Sequence, residues 1–202
     1  WDDSTDALPQ QAPAPAALAS DEAVTKAAEI LSNGKPTVIL LGNPALSQAA
    51  QELADKISQV TGASLYCDTF NKRFPRGAGR CEVERLGYFA EQATEQIKDI
   101  EQFIMVGTKA PVAFFAYPGH ASEFYPQGSL LHSLTSVQED PIDALQRLCD
   151  ALSANDRTPR YIGKNTTGAG SGELNQFTVG ESFAEYLPTD AVVIDEAATS
   201  GA

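Results

Sequence analysis

The chain has 202 residues, with 27 acidic side chains against 14 basic ones and a net charge of −13. A chain of this length buries roughly 70% of its unfolded surface, so its core needs no disulfide or metal staple. The acidic balance excludes a surface built for nucleic acid or an anionic membrane, and no apolar run approaches the ~18 residues that a bilayer demands.

Residues 1–20 carry Pro9, Pro13 and Pro15 among Ala, Gln and Ser, the composition of an extended linker. From Asp21 the apolar residues Val24, Ala27, Ala28 and Leu31 recur at helical spacing and stop before Asn33-Gly34. Val38 to Leu41 is a continuous apolar run ending at Gly42, as expected of a strand covered on both faces. Leu46, Ala49, Ala50, Leu53, Ala54, Ile57 and Val60 mark a second helix closed by Thr61-Gly62, and Ser64 to Cys67 a second strand. An irregular stretch runs from Asp68 to Glu84. Leu86, Phe89, Ala90, Ala93 and Ile97 then predict a third helix, and Phe103 to Gly107 a third inner strand. A loop over 108–127 leads to a weaker strand, Leu130 to Leu134, and a helix entered at Asp140-Pro141, where proline suits the first turn. Strand, helix, strand at this spacing predicts an α/β fold: a doubly wound, mainly parallel, Rossmann-like sheet with helices on both faces.

The central α/β domain is expected over 21–155, with a Gly-rich linker over 156–175. The spaced glycines Gly168, Gly170 and Gly172 lack the Gly-Lys-Ser/Thr ending of a phosphate loop. Residues 176–202 are expected to give one helix, with Thr178 and Glu181 as its capping box, and one strand, Ala191 to Ile194. One helix and one strand cannot make a domain. With Trp1 opening the chain and Gly201-Ala202 closing it, a fragment is expected.

No residues assemble into a complete catalytic or metal-binding constellation, so the expected catalytic and metal sets are empty. The turn Gly42-Asn43-Pro44 stands where a dinucleotide fold places its phosphate loop. It is not GxGxxG, and no acidic residue is read at the matching distance on a second strand end. Arg76-Gly77-Ala78-Gly79-Arg80 offers either an anion site or surface arginines paired with Glu82, Glu84 or a neighbouring subunit. Ala113 to Gly119 is an aromatic loop that either lines a crevice or packs on another domain, and packing is expected because no titratable group stands inside the cluster. His120 and His132 lack the spacing of metal ligands. Cys67, Cys81 and Cys149, without CxxC, read as reduced, partly buried thiols of a cytoplasmic protein.

The order of these features resembles the central domain of thiamine-diphosphate-dependent enzymes running into their diphosphate-binding domain. Thr69-Phe70, Arg76 to Arg80, Val83 to Leu86, Tyr88-Phe89 and Pro111 to Gly119 resemble the acetolactate-synthase-like large-subunit group. The resemblance implies a three-domain enzyme that decarboxylates or joins 2-oxo acids, a lyase or transferase using thiamine diphosphate and Mg²⁺ as a homodimer or homotetramer. The activating glutamate and the metal motif would lie outside these residues, so the fragment itself would be an inactive central structural and assembly domain. The segment matching Glu196 to Ser200 would lie against the cofactor diphosphate, with Thr199 and Ser200 as its contacts. FAD stands outside this implication. Arg85 to Phe89 replaces the Gly-Met-x-Gly-like loop of flavin-carrying members, and Leu131-His132-Ser133-Leu134 replaces their Asp-x-Asp. Two alternatives stay open: a benzoylformate-decarboxylase-like enzyme, and a non-catalytic nucleotide-binding or interaction module.

Overall fold

The computed structural model describes residues 12, 14–116, 118–119, 121–164, 168–188 and 191–194. The chain divides into two compact units, Trp1–Ile162 and Gly163–Ala202.

In the first unit, helix α1 (Asp21–Leu31) begins at Ser20, whose hydroxyl accepts the Ala23 N–H. Asp21 and Glu22 stand in its first turn, where the helix dipole favours negative charge. Strand β1 (Thr37–Leu41) is buried at every residue. A short 3₁₀ turn (Asn43–Leu46) carries Pro44, and α2 (Gln48–Thr61) starts at the Ser47 cap and ends at Gly62 in the left-handed region. Strand β2 (Ser64–Cys67) is followed, after the irregular stretch, by the two-residue strand β3 (Glu84–Arg85). Two exposed charged residues carry no hydrophobic pattern, so β3 leaves no mark in the sequence. Helix α3 (Ala90–Ile97) comes next, with Leu86 and Phe89 before it rather than in it. Strands β4 (Gln102–Val106) and β5 (Leu130–Thr135) and helix α4 (Pro141–Ala151), capped by Asp140, complete the unit.

The five strands pair in parallel in the order β3-β2-β1-β4-β5. One face of the sheet presents Ile39, Leu41, Ile104, Val106 and Leu134 to α1, α2 and α4. The other presents Val38, Leu40, Phe103 and Met105 to the shorter α3 and to Phe124. That two-sided burial is why β1 and β4 read as unbroken apolar runs. β5 is an edge strand, with only Leu134 and Thr135 buried. Its His132 Nε2 lies 2.8 Å from the Ala23 carbonyl oxygen and ties the edge to α1.

The flanks of this unit extend beyond the periodic elements. Ala17 bridges to Glu139, and the Arg147 guanidinium reaches the Ala19 carbonyl at 2.6 Å and Asp21 at 2.7 Å. Arg160 and Tyr161, within the stretch expected to be linker, are hydrogen-bonded to α2.

In the second unit, α5 (Gln176–Tyr186) has Asn175, not Thr178, as its cap. The Asn175 carboxamide accepts the Phe177 and Thr178 N–H groups, while the Thr178 hydroxyl accepts the Asn175 N–H and closes the box. A Cβ on Gly170 would lie 2.2 Å from the Thr178 carbonyl oxygen, so this glycine serves close packing on α5. Residues 191–194 do not form the expected strand, and Val192 and Ile194 are 77% and 83% exposed. A strand needs a ladder partner, and the described residues set none beside them.

Candidate functional site

In an open parallel sheet, ligands bind beyond the carboxyl ends of the strands, where the strand order reverses. Here that place lies between β1 and β4. The Gly42 N–H donates to the Val106 carbonyl at 2.8 Å, and a Cβ on Gly42 would lie 2.1 Å from the Gly107 carbonyl oxygen. Gly107 itself has φ +66°, and a Cβ there would face the Pro44 ring at 3.2 Å. The turns after the two strands are thus pressed together, with Pro44 against them.

The approach to α2 is also occupied. Ser47 Oγ accepts the Ala50 N–H at 3.3 Å, and the buried Gln51 carboxamide donates to the Leu46 and Pro75 carbonyls. The Asn43 side chain accepts the Lys72 backbone N–H. A dinucleotide phosphate needs an open glycine turn at this point. Pro44 packs against Gly107 and the Asn43 side chain holds the Lys72 backbone, so this turn lacks the glycine-only form of a dinucleotide loop.

Sequence reasoning misses one carboxylate at this edge. Asp68 follows β2 immediately, at a strand end where the sequence offers no acid at the dinucleotide spacing. The Thr108 hydroxyl lies 2.7 Å and 2.9 Å from its two oxygens. Burial raises the Asp68 carboxyl above the usual range, and the Thr108 hydroxyl partly opposes that shift. The signal is an Asp directly after a short strand run, which a search at the dinucleotide spacing from Gly42 passes over.

Asp68, Phe70, Leu86, Thr108, Lys109 and Phe114 line a cleft of about 220 Å³. The aromatic loop contributes Phe114, whose ring centroid is 4.6 Å from that of Phe70 and 6.3 Å from that of Tyr88. Tyr88 also meets Phe89 edge-on at 5.2 Å. The loop therefore lines a crevice within its own unit. Tyr117 and His120 lie outside the described residues.

Among the described residues, neither Arg76 nor Arg80 pairs with Glu82 or Glu84. The Arg76 guanidinium stands 5.9 Å from the Phe74 ring centroid, and Arg80 donates to the Gly79 carbonyl at 3.1 Å. Glu84 instead accepts from the Gln96 carboxamide at 2.8 Å, because β3 carries it alongside β2 and towards α3. Burial, and after it the Glu84 carboxylate, push the Tyr66 hydroxyl up to about 12. Burial likewise pushes the Cys67, Cys81 and Cys149 thiols up to about 11, and all three are buried and unpaired by disulfides. Among the described residues no group of three or more His, Cys, Asp and Glu gathers to hold a metal, and no helix is long and apolar enough to cross a membrane. Thr199 and Ser200, with the rest of the Glu196–Ser200 segment, lie outside the described residues.

No protein-family model matches the chain. A curated relative, the putative acetolactate synthase large subunit IlvX of Mycobacterium tuberculosis, is 35% identical over 201 residues, which cover 100% of this chain. The chain spans 38% of that relative's length. Three solved structures share the fold at low identity. A putative thiamin diphosphate-dependent enzyme from Mycobacterium smegmatis superposes with a TM-score of 0.54 at 17% identity, over 77% of this chain and 32% of that one. Benzoylformate decarboxylase from Polynucleobacter necessarius gives 0.52 at 17% identity, over 87% and 34% of the two chains. The thiamine diphosphate-dependent 4-hydroxybenzoylformate decarboxylase of Rhodococcus jostii RHA1 gives 0.55 at 18% identity, over 80% and 34%. The chain is therefore similar from end to end to part of an acetolactate-synthase-like large subunit, and it has the α/β fold found in thiamine-diphosphate-dependent enzymes.

Proposed function

We propose that the chain is the central domain, with the beginning of the diphosphate-binding domain, of a thiamine-diphosphate- and Mg²⁺-dependent enzyme acting on 2-oxo acids by decarboxylation or carboligation. The observation that carries this reading is the 35% identity sustained over 201 residues to a putative acetolactate synthase large subunit. The domain arrangement expected from the sequence fits it: a parallel-sheet unit, then a glycine-rich stretch leading to α5. In the whole enzyme the cofactor supplies an electron sink for the carbon from which CO₂ departs. This chain's part is to support the neighbouring domains and subunits of a cytoplasmic homodimer or homotetramer. Its Thr199 and Ser200 hydroxyls would hold the cofactor diphosphate. The chain alone brings no catalytic set and is expected to be inactive.

The test uses two proteins: this chain, and the same chain expressed with its flanking coding sequence. Calorimetry with thiamine diphosphate and Mg²⁺ should give no tight binding to the first and saturable binding to the second. The second should also release CO₂ from pyruvate or benzoylformate, and the preferred substrate separates the two enzyme readings. Failure of the longer protein to bind the cofactor would overturn the proposal, as would tight binding by this chain alone.

A further inference from the structure

Where the chain leaves the first unit, it is fastened by a cluster of polar bonds. Asp55 on α2 is only 3% exposed, yet it is an acidic residue. Its oxygens accept the Arg160 Nε–H at 3.0 Å, an Nη2–H at 2.8 Å and the Arg160 backbone N–H at 2.8 Å. Gln59 donates to Asp55 at 2.9 Å and to the Thr158 carbonyl at 2.8 Å. The Tyr161 hydroxyl donates to Glu52 at 3.1 Å. Glu52, Asp55 and Gln59 recur at three- and four-residue spacing, so one stripe of α2 grips residues 158–161.

That grip reaches a second segment. Cys81 and Tyr161 form an antiparallel bridge. Beside it the Gly79 N–H donates to the Ile162 carbonyl at 2.9 Å, and the Ile162 N–H donates to the Arg80 carbonyl at 2.8 Å. Among the described residues, both backbone hydrogen bonds that tie residues 76–81 to a distant segment go to Ile162. Gly77 and Gly79, at φ +94° and +73°, give the loop no side chain with which to pack, and Cys81 at its end is buried. The loop that carries Arg76 and Arg80 is thus held by the residues through which the chain exits its first unit.

We propose that residues 158–162 are a latch, so that release of Arg160 from Asp55 frees the cationic 76–81 loop as a unit and uncovers Cys81. A displacement of the chain beyond Ile162 is then transmitted to this loop without unfolding the sheet. The latch requires nothing of the catalysis proposed above.

The three cysteines supply the assay, since Cys67 and Cys149 report on the core while Cys81 reports on the latch. In the full chain, Arg160→Ala should raise the rate of Cys81 modification by a maleimide about tenfold or more, the change expected when a charge-assisted clasp is cut from a local opening. Peptide mapping should show Cys67 and Cys149 at their original rates, with faster amide exchange confined to residues 77–81 and 158–162. Ile162→Pro, which deletes the N–H bonded to Arg80 and leaves Asp55–Arg160 in place, should free the loop in the same way. An unchanged Cys81 rate in both variants, or a common acceleration of all three thiols, would overturn the latch.

Discussion

Replacing Gly42 by Ala tests how tightly the turn after β1 packs on the turn after β4. The new Cβ would lie 2.1 Å from the Gly107 carbonyl oxygen and 2.7 Å from both the Gly107 carbonyl carbon and Thr108 Cβ. An ordinary carbon–oxygen contact needs roughly 3.3 Å, so the ends of β1 and β4 must part by about 1 Å. That movement acts on the 2.8 Å Gly42–Val106 hydrogen bond and on Thr108, which is bonded to Asp68. Overpacking against backbone costs about 1–3 kcal/mol and the weakened hydrogen bond about 1 kcal/mol more, giving about 2–4 kcal/mol together. For a domain of this size, that is a fall of about 4–16 °C in Tm. Thermal and urea unfolding followed by circular dichroism measures it. Gly163→Ala, with nothing within 4 Å of its Cβ, is the matched control and should shift Tm by about 1 °C at most. A Gly42→Ala protein as stable as that control would refute the packing argument, because a turn with room to spare would accept a methyl group without strain.

Two further outcomes follow from the same geometry. Leu148 on α4 is fully buried in the core between the helices and the sheet, so Leu148→Ala should cost about 2–5 kcal/mol in urea unfolding. A loss under about 1 kcal/mol would contradict the assigned core. Asp68 has a carboxyl raised by burial, so the folded state holds its proton to higher pH than the unfolded state does. Its contribution therefore favours folding below the ordinary aspartate range and is lost as pH rises through the raised value. Asp68→Asn should flatten the decline of stability with rising pH over that window, and a variant with the parent's slope would show that Asp68 is not the group responsible.

Much of this architecture is legible because it depends on near neighbours in the chain. Val38 to Leu41 and Phe103 to Val106 read as two-sided strands because both sheet faces demand apolar side chains. The proline entry at Asp140-Pro141 and the stop at Gly62 follow the same local rules. The resemblance carried by the Arg76–Arg80 and Pro111–Gly119 stretches is legible as a linear pattern as well. The site is less accessible. The strand-end role of Asp68 depends on a hydroxyl 40 residues away, and the Phe70–Phe114 contact joins loops from strands on opposite sides of β1.

By itself the sequence determined that this is a parallel α/β protein with a glycine-rich exit and an acetolactate-synthase-like signature. Hydrophobic period, capping and turn chemistry act over a few residues and leave their mark in linear order. Only the tertiary structure decided that the Gly42 turn packs on the Gly107 turn, that Glu84 turns to Gln96 rather than to the arginine loop, and that Arg160 closes on Asp55. Each of these depends on which segments the sheet order brings side by side, and residues 105 positions apart carry no local trace of their pairing.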